Sequence, residues 1–294
     1  MTNAEKCRMC PRECGANRKK QRGFCGADSL VRIARVGLHE WEEPCISYGK
    51  GSGTVFFSGC SLKCVYCQNC EISSGLRGRD IEGDKLSEIF LSVRDMGAVN
   101  LNLVNPTHYG MDIVSALKEV KAELGIPVVY NTGGYDSVET LRLFDGLVDI
   151  YLPDIKYRSG EYSLRYSGAA DYFEKASAAL EEMHRQVGYP QFDSEGHMKR
   201  GVLVRHLVLP TLWRDSCGVL DFLAEKFDVS RLYVSIMRQY FPTHRASEFP
   251  ELSRKLTTLE YEKVLSYAER LGIVNGFSQE KSSAKEEYVP DFDF

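Results

Sequence analysis

Short apolar runs recur along the chain, each followed by a longer stretch in which charged and apolar residues alternate at helical period. Residues 54–57 (TVFF), 99–104, 126–130, 148–152, 202–209 and 232–236 have the compact apolar character of strands buried on both faces. Residues 85–96, 112–124, 137–144, 169–187 and 217–227 have the spacing of helices. Six β-α repeats of this kind predict an α/β fold with parallel strands, in a barrel or a doubly wound sheet. A separate strand is expected at residues 30–36, followed by the polar-aromatic LHEWEEP. Thr257 and Glu260 form a capping box for a last helix, whose apolar set Tyr261, Val264, Leu265, Ala268 and Leu271 runs up to the stop at Gly272. Residues 278–287 are polar and, with the closing YVPDFDF, read as a mobile tail.

Composition narrows the class. The 294 residues are 43% hydrophobic and 27% charged, as in one globular domain with appendages. A net charge of -4 gives no basic field for gripping nucleic acid. The N-terminus MTNAEKCRMC has no apolar signal core and no run reaches membrane-spanning length, so a cytoplasmic protein without a membrane partner is expected. The ten cysteines then point to metal or redox chemistry rather than disulfides. Eight fall into two sets: Cys7, Cys10, Cys14 and Cys25, then Cys60, Cys64, Cys67 and Cys70. Cys45 and Cys217 stand apart as ordinary small side chains.

The first set lies in a short, basic, loop-like segment with little to bury, which can hold a shape only around a metal. Four thiolates close a coordination sphere and suit structural zinc, the preferred reading, or an auxiliary iron–sulfur cluster. The run Arg18-Lys19-Lys20, with Arg22, reads as a solvated loop, with docking of an acidic partner as the alternative.

The second set, in GCSLKCVYCQNC, follows the first repeat strand directly. Three thiolates at C-x3-C-x2-C can hold three irons of a cubane and leave the fourth open to a substrate. The loop stands at the C-terminal end of a strand, where barrel active sites form. A structural zinc loop is the bland alternative. Cys70 as a fourth ligand would close the open iron, so it reads as a buried thiol.

Together with CRMCPRECG, the stretches GSGTVFFSGCSLKCVYCQNCEIS, GAVNLNLVNPTHY, DIYLPDIKY, RGVLVRHLVLP and YVSIMRQYFP resemble the pyruvate formate-lyase activating enzyme-like branch of the radical S-adenosylmethionine (SAM) superfamily, over nearly the whole chain. The resemblance implies a partial (β/α)6 TIM-type barrel over residues 46–275, a Cys-rich metal-binding module over 1–45 and a tail over 276–294. It implies a [4Fe–4S] cluster on Cys60, Cys64 and Cys67, with SAM chelated at the open iron and cleaved to methionine and a 5′-deoxyadenosyl radical. Lys156 would meet the SAM carboxylate with Asp154 orienting it, Arg205 would contact ribose or carboxylate, Asn131 would face the same mouth and Tyr66 would lie against adenine. The family's Gly-Gly-Glu loop for the SAM amino group is absent from Asn105-Pro106-Thr107-His108. Backbone carbonyls with Asn105, Thr107 and His108 are the candidates in its place.

For each of these residues a plainer role is set beside the implied one. Lys156 and Arg205 could be strand-end ion-pair partners. His108 could simply bond a loop carbonyl, and Tyr240 could be core while Gln239 lines the cavity. His184 and His197 are expected to be solvated. The resemblance also implies a reductant such as flavodoxin or ferredoxin. Three functions follow: an activase that abstracts hydrogen from a glycine of a partner glycyl radical enzyme, a radical enzyme acting on a small molecule or peptide side chain, or a non-catalytic metal-binding or electron-carrying module.

Overall fold

The computed structural model describes residues 6–82, 84–279 and Phe292. In chain order its elements are β1 (Val31–His39), β2 (Ser52–Phe57), α1 (Cys70–Ser73), β3 (Arg79–Ile81), α2 (Lys85–Asp95), β4 (Leu101–Val104), α3 (Gly110–Leu124), β5 (Val128–Thr132), α4 (Val138–Arg142), β6 (Ile150–Pro153), α5 (Gly160–Ser167), α6 (Tyr172–Val187), β7 (Gln191–Phe192), β8 (Met198–Leu207), α7 (Trp213–Lys226), β9 (Tyr233–Met237), α8 (Thr258–Arg270) and β10 (Gly276–Ser278). The mixed α/β sheet runs β10-β9-β8-β6-β5-β4-β2-β1-β3, with β7 pairing beside β8. From β2 to β10 every neighbouring pair is parallel. β1 returns antiparallel on β2, and β3 antiparallel on β1.

Period-2 alternation divides the parallel strands between two apolar layers. Val202, Val204 and Val208 of the β8 region, with Val128 and Tyr130 of β5, face the helices in the main core. Leu203, Val129, Ile150 and Leu152 point the other way, into a smaller inner core closed by Cys45 and Ile46. The β1–β2 loop therefore crosses the inner face of the sheet. Cys45 accepts a hydrogen bond from the Met198 amide at 3.0 Å, and Asn100 donates to the Ile46 carbonyl at 2.8 Å. The capping box at Thr257 and Glu260 is formed as the sequence predicts.

One expectation is corrected. Seven parallel strands stand where six repeats were expected, because residues 276–278 pair with β9 as β10 and do not begin a tail. Tail residues 280–291, 293 and 294 lie outside the described residues. Residue 45 lies in the loop that plugs the inner face, and β1 already belongs to the sheet. Residues 6–30 precede the first strand. Among the described residues no helix is long and apolar enough to cross a membrane.

Candidate active site

The cysteine loop leaves β2 through Gly59, whose φ of +93° is a left-handed conformation open chiefly to glycine. A Cβ there would stand 2.6 Å from the Cys25 carbonyl oxygen. The next amide, of Cys60, donates to that same carbonyl at 3.1 Å, so the N-terminal segment lies directly against the loop. On the other side the last turn of α5 holds it. Lys63 and Val65 amides donate to the carbonyls of Ser167 (3.0 Å) and Tyr166 (2.8 Å).

Each of the three motif sulfurs has a hydrogen-bonding neighbour. The Leu62 amide donates to Cys60 Sγ at 3.4 Å, Ser167 Oγ lies 3.0 Å from Cys64 Sγ and Ser73 Oγ lies 3.2 Å from Cys67 Sγ. Burial, with Cys64 nearby, pushes the Cys60 thiol up to about 11 and the Cys67 thiol up to about 12. Such thiols stay protonated at neutral pH unless a cationic centre takes them as thiolates. Cys70 instead heads α1; Cys64 and Cys67 line the cavity beside the loop, whereas Cys60 and Cys70 do not. Among the described residues no three His, Cys, Asp or Glu side chains converge tightly enough for a single metal ion. A cubane places each thiolate on its own iron, whereas a single zinc needs all its donors on one ion.

A cavity of about 720 Å³ opens beside Cys64, Tyr66 and Cys67. Phe56 of β2 and Phe277 of β10 both line it, so the sheet curls around it. Asn131, Asp154, Lys156 and Arg205 stand at the C-terminal ends of β5, β6 and β8 and share this mouth. Lys156 donates to one Asp154 oxygen, and Arg205 Nε donates to the other at 2.9 Å. Burial alone would push the Asp154 carboxyl up, but Arg205 and Lys156 hold it below the usual carboxylate range. Arg205 also donates to Asn131 Oδ1 at 2.6 Å, while Asn131 and Asn102 donate to Glu42 Oε1 at 3.0 and 3.1 Å. Glu42 comes from the plugging loop and was not singled out from sequence. LHEWEEP signals only polarity, and nothing local says that the loop turns inward.

Other candidates are placed elsewhere. Asn105 sits at φ +59° and donates to the Gly59 carbonyl, with Cys60 Sγ 3.8 Å from its Oδ1. Thr107 is drawn away from the cavity into a buried cluster on Asp136, where Tyr130 and Thr132 also donate. His108 is fully buried, with Nε2 2.7 Å from the Ser58 carbonyl, and does not reach the cavity. Arg18, expected in solvent, is buried too. It donates to the His108 carbonyl and lies 3.7 Å from Cys25 Sγ. His184 packs edge-on against Tyr189 and Phe227, and His197 stacks on Tyr48 at 3.4 Å. Gln239 and Tyr240 both line the cavity.

Burial pushes His108 and His206 down from 6.5 to about 4. Between those values the unfolded chain binds protons that the folded one refuses, so stability falls as pH drops from 6.5 towards 4. The loss is up to ~3 kcal/mol per histidine. Denaturant unfolding across that range measures it, and equal stability at both ends would contradict it.

In the N-terminal segment Cys7, Cys10 and Cys25 are buried and Cys14 is exposed. A Cβ on Gly23 would stand 3.5 Å from the Cys14 sulfur and 3.6 Å from that of Cys25, so these two thiols face one gap.

No family model matches the chain. It is 32% identical over 278 residues to the uncharacterized protein MJ0674 of Methanocaldococcus jannaschii, covering 91% of this chain and 75% of the relative. Among solved structures, Streptococcus suis SuiB aligns with a TM-score of 0.50 at 15% identity, over 76% of this chain and 47% of SuiB. SuiB bound to the precursor peptide SuiA gives 0.50 at 15%, over 75% and 46%. The chain thus spans about half the length of SuiB and shares its fold. By its identity and coverage, the chain belongs to the family of the Methanocaldococcus jannaschii protein MJ0674.

Proposed function

We propose that the protein is a radical SAM enzyme built on a partial (β/α)6 TIM-type barrel. One observation carries this reading: Cys64 and Cys67 of the three-thiol loop line a cavity that also holds the Lys156–Asp154–Arg205 triad at the C-terminal ends of parallel strands. Cys60, Cys64 and Cys67 would hold a [4Fe–4S] cluster, which would supply the electron that cleaves SAM to methionine and a 5′-deoxyadenosyl radical.

The chain's own residues bind and orient. Lys156 meets the SAM carboxylate as a point charge, and Asp154 fixes Lys156 and Arg205 in place. Arg205 and Asn131 face the ribose, and Tyr66 packs against adenine. Thr107 and His108 are committed elsewhere, so backbone near Asn105 receives the amino end. The curled sheet and the loop bearing Glu42 keep water from the radical.

The hydrogen donor in this reading is a peptide segment, with a glycine of a partner glycyl radical enzyme as the first choice. A cavity of about 720 Å³ has room beside SAM for a side chain or short loop, not for a folded domain. The SuiB structure with a precursor peptide gives this choice a parallel. A small molecule or a peptide side chain is the second choice. A flavodoxin or ferredoxin would supply the electron, and free thiols at all ten cysteines suit a cytoplasmic setting. Residues 1–45 form the metal-binding module, with its four cysteines between Cys7 and Cys25.

Incubation of the reduced protein with SAM tests the reading directly. Release of 5′-deoxyadenosine supports it, and none above background leaves only the non-catalytic module. Deuterium transfer from a labelled glycine peptide, with a glycyl radical signal by electron paramagnetic resonance, would identify the substrate.

The second metal has its own expected result. Purified without oxygen, a Cys60/Cys64/Cys67 triple-alanine variant should retain metal on Cys7, Cys10, Cys14 and Cys25. Zinc without iron makes the module structural, and about four irons with matching sulfide make it a second cluster. No metal at all would sink the proposal of a second centre.

A further inference from the structure

A chain of buried hydroxyls ends on one of the motif sulfurs. Tyr66 OH lies 2.6 Å from Tyr157 OH, Tyr157 OH 2.8 Å from Ser167 Oγ and Ser167 Oγ 3.0 Å from Cys64 Sγ. Tyr157 and Ser167 are fully buried and Tyr66 is 6% exposed. In the free thiol each contact can run in either direction. A metal-bound thiolate has no hydrogen to give, and that removes the ambiguity. Ser167 must donate to Cys64, Tyr157 to Ser167, and Tyr66 to Tyr157. Every hydroxyl then points its positive end towards the sulfur, and each polarises the next.

The arrangement is built rather than incidental. Ser167 ends α5, where Gly168 turns the chain at φ +67°. Its own carbonyl receives the Lys63 amide, so the residue that approaches Cys64 also anchors the loop that carries it. Cys60, by contrast, has a backbone amide at 3.4 Å, and Cys67 a serine from its own loop at 3.2 Å.

We propose that Ser167 and Tyr157 are positioning residues that set the reduction potential of the cluster through the Cys64 sulfur. This rests on the radical SAM reading. Gaining an electron makes the cluster and its sulfurs more negative, and a donor aimed at a sulfur stabilises that state. The chain therefore raises the potential and makes the cluster easier to reduce.

The test is a dithionite titration of the anaerobically reconstituted protein, one electron per cluster, followed by electron paramagnetic resonance. Ser167→Ala should move the midpoint to a more negative potential, by about a tenfold fall in the reduction constant, or ~59 mV for one electron. Tyr157→Phe keeps the Ser167 contact and should shift it in the same direction by less. Wild-type midpoints in both variants, at full iron content, would overturn the proposal. Should Ser167→Ala fail to hold a cluster, Tyr157→Phe decides alone: a negative shift supports the chain and an unchanged midpoint removes it. Failure of the wild-type protein to take up any iron at the motif cysteines would overturn the radical SAM reading itself, and this inference with it.

Discussion

Alanine at Cys60, Cys64 or Cys67 is expected to strip the motif cluster and drop 5′-deoxyadenosine formation to the detection floor. A cubane on three thiolates has no spare ligand, and loss of one leaves two irons without a protein bond. Cys70 is the nearest cysteine in sequence, yet it heads α1, so it cannot take over without unwinding that turn. Cys70→Ala should therefore keep its iron and its turnover. Iron content, absorbance and product assay of the four variants make the measurement. Retention of the cluster in Cys60→Ala with its loss in Cys70→Ala would refute the ligand assignment.

Lys156→Ala and Asp154→Ala should separate binding from folding at the strand ends. The lysine and arginine share one carboxylate, with side chains only about one-seventh exposed (15%, 13% and 15% for Lys156, Asp154 and Arg205). Removing Lys156 leaves Asp154 still paired with Arg205, so the fold should survive while SAM affinity falls by ~2–5 kcal/mol, the usual loss when one member of a desolvated charge pair is truncated. Lys156→Arg is not expected to restore it, because a planar fork does not occupy the place of a compact ammonium. Removing Asp154 strands Lys156 and leaves Arg205 with Glu42 at 3.5 Å as its carboxylate partner, and stability should fall by ~3–5 kcal/mol. Calorimetric titration with SAM and denaturant unfolding report the two effects. Wild-type SAM affinity in Lys156→Ala would show that this lysine serves the fold alone.

Much of the α/β sheet was legible because strand burial and helix period are local properties. The β-α alternation, the capping box at Thr257 and the position of the cysteine loop after β2 all follow from neighbours along the chain. Residues 276–278 escaped notice because GFS has no apolar run of its own. Their strand character comes from pairing with β9, a partner about forty residues away. Thr107 and His108 looked like site residues because they follow a strand end. Their side chains instead answer to Asp136 and the Ser58 carbonyl, which no local pattern ties to them.

Arg18 shows the same limit in the opposite direction. A basic run is usually solvated, yet burial against His108 and Cys25 takes one of its members inside.

By itself the sequence determined the α/β class, the three-thiol loop and the charged residues at successive strand ends, since each depends on spacing within one segment. Tertiary structure alone decided that Glu42 enters the cavity, that Cys25 touches the Cys60 amide and that Ser167 reaches Cys64. Those contacts join residues from 35 to 103 positions apart, and sheet order and curl, not sequence spacing, bring them together.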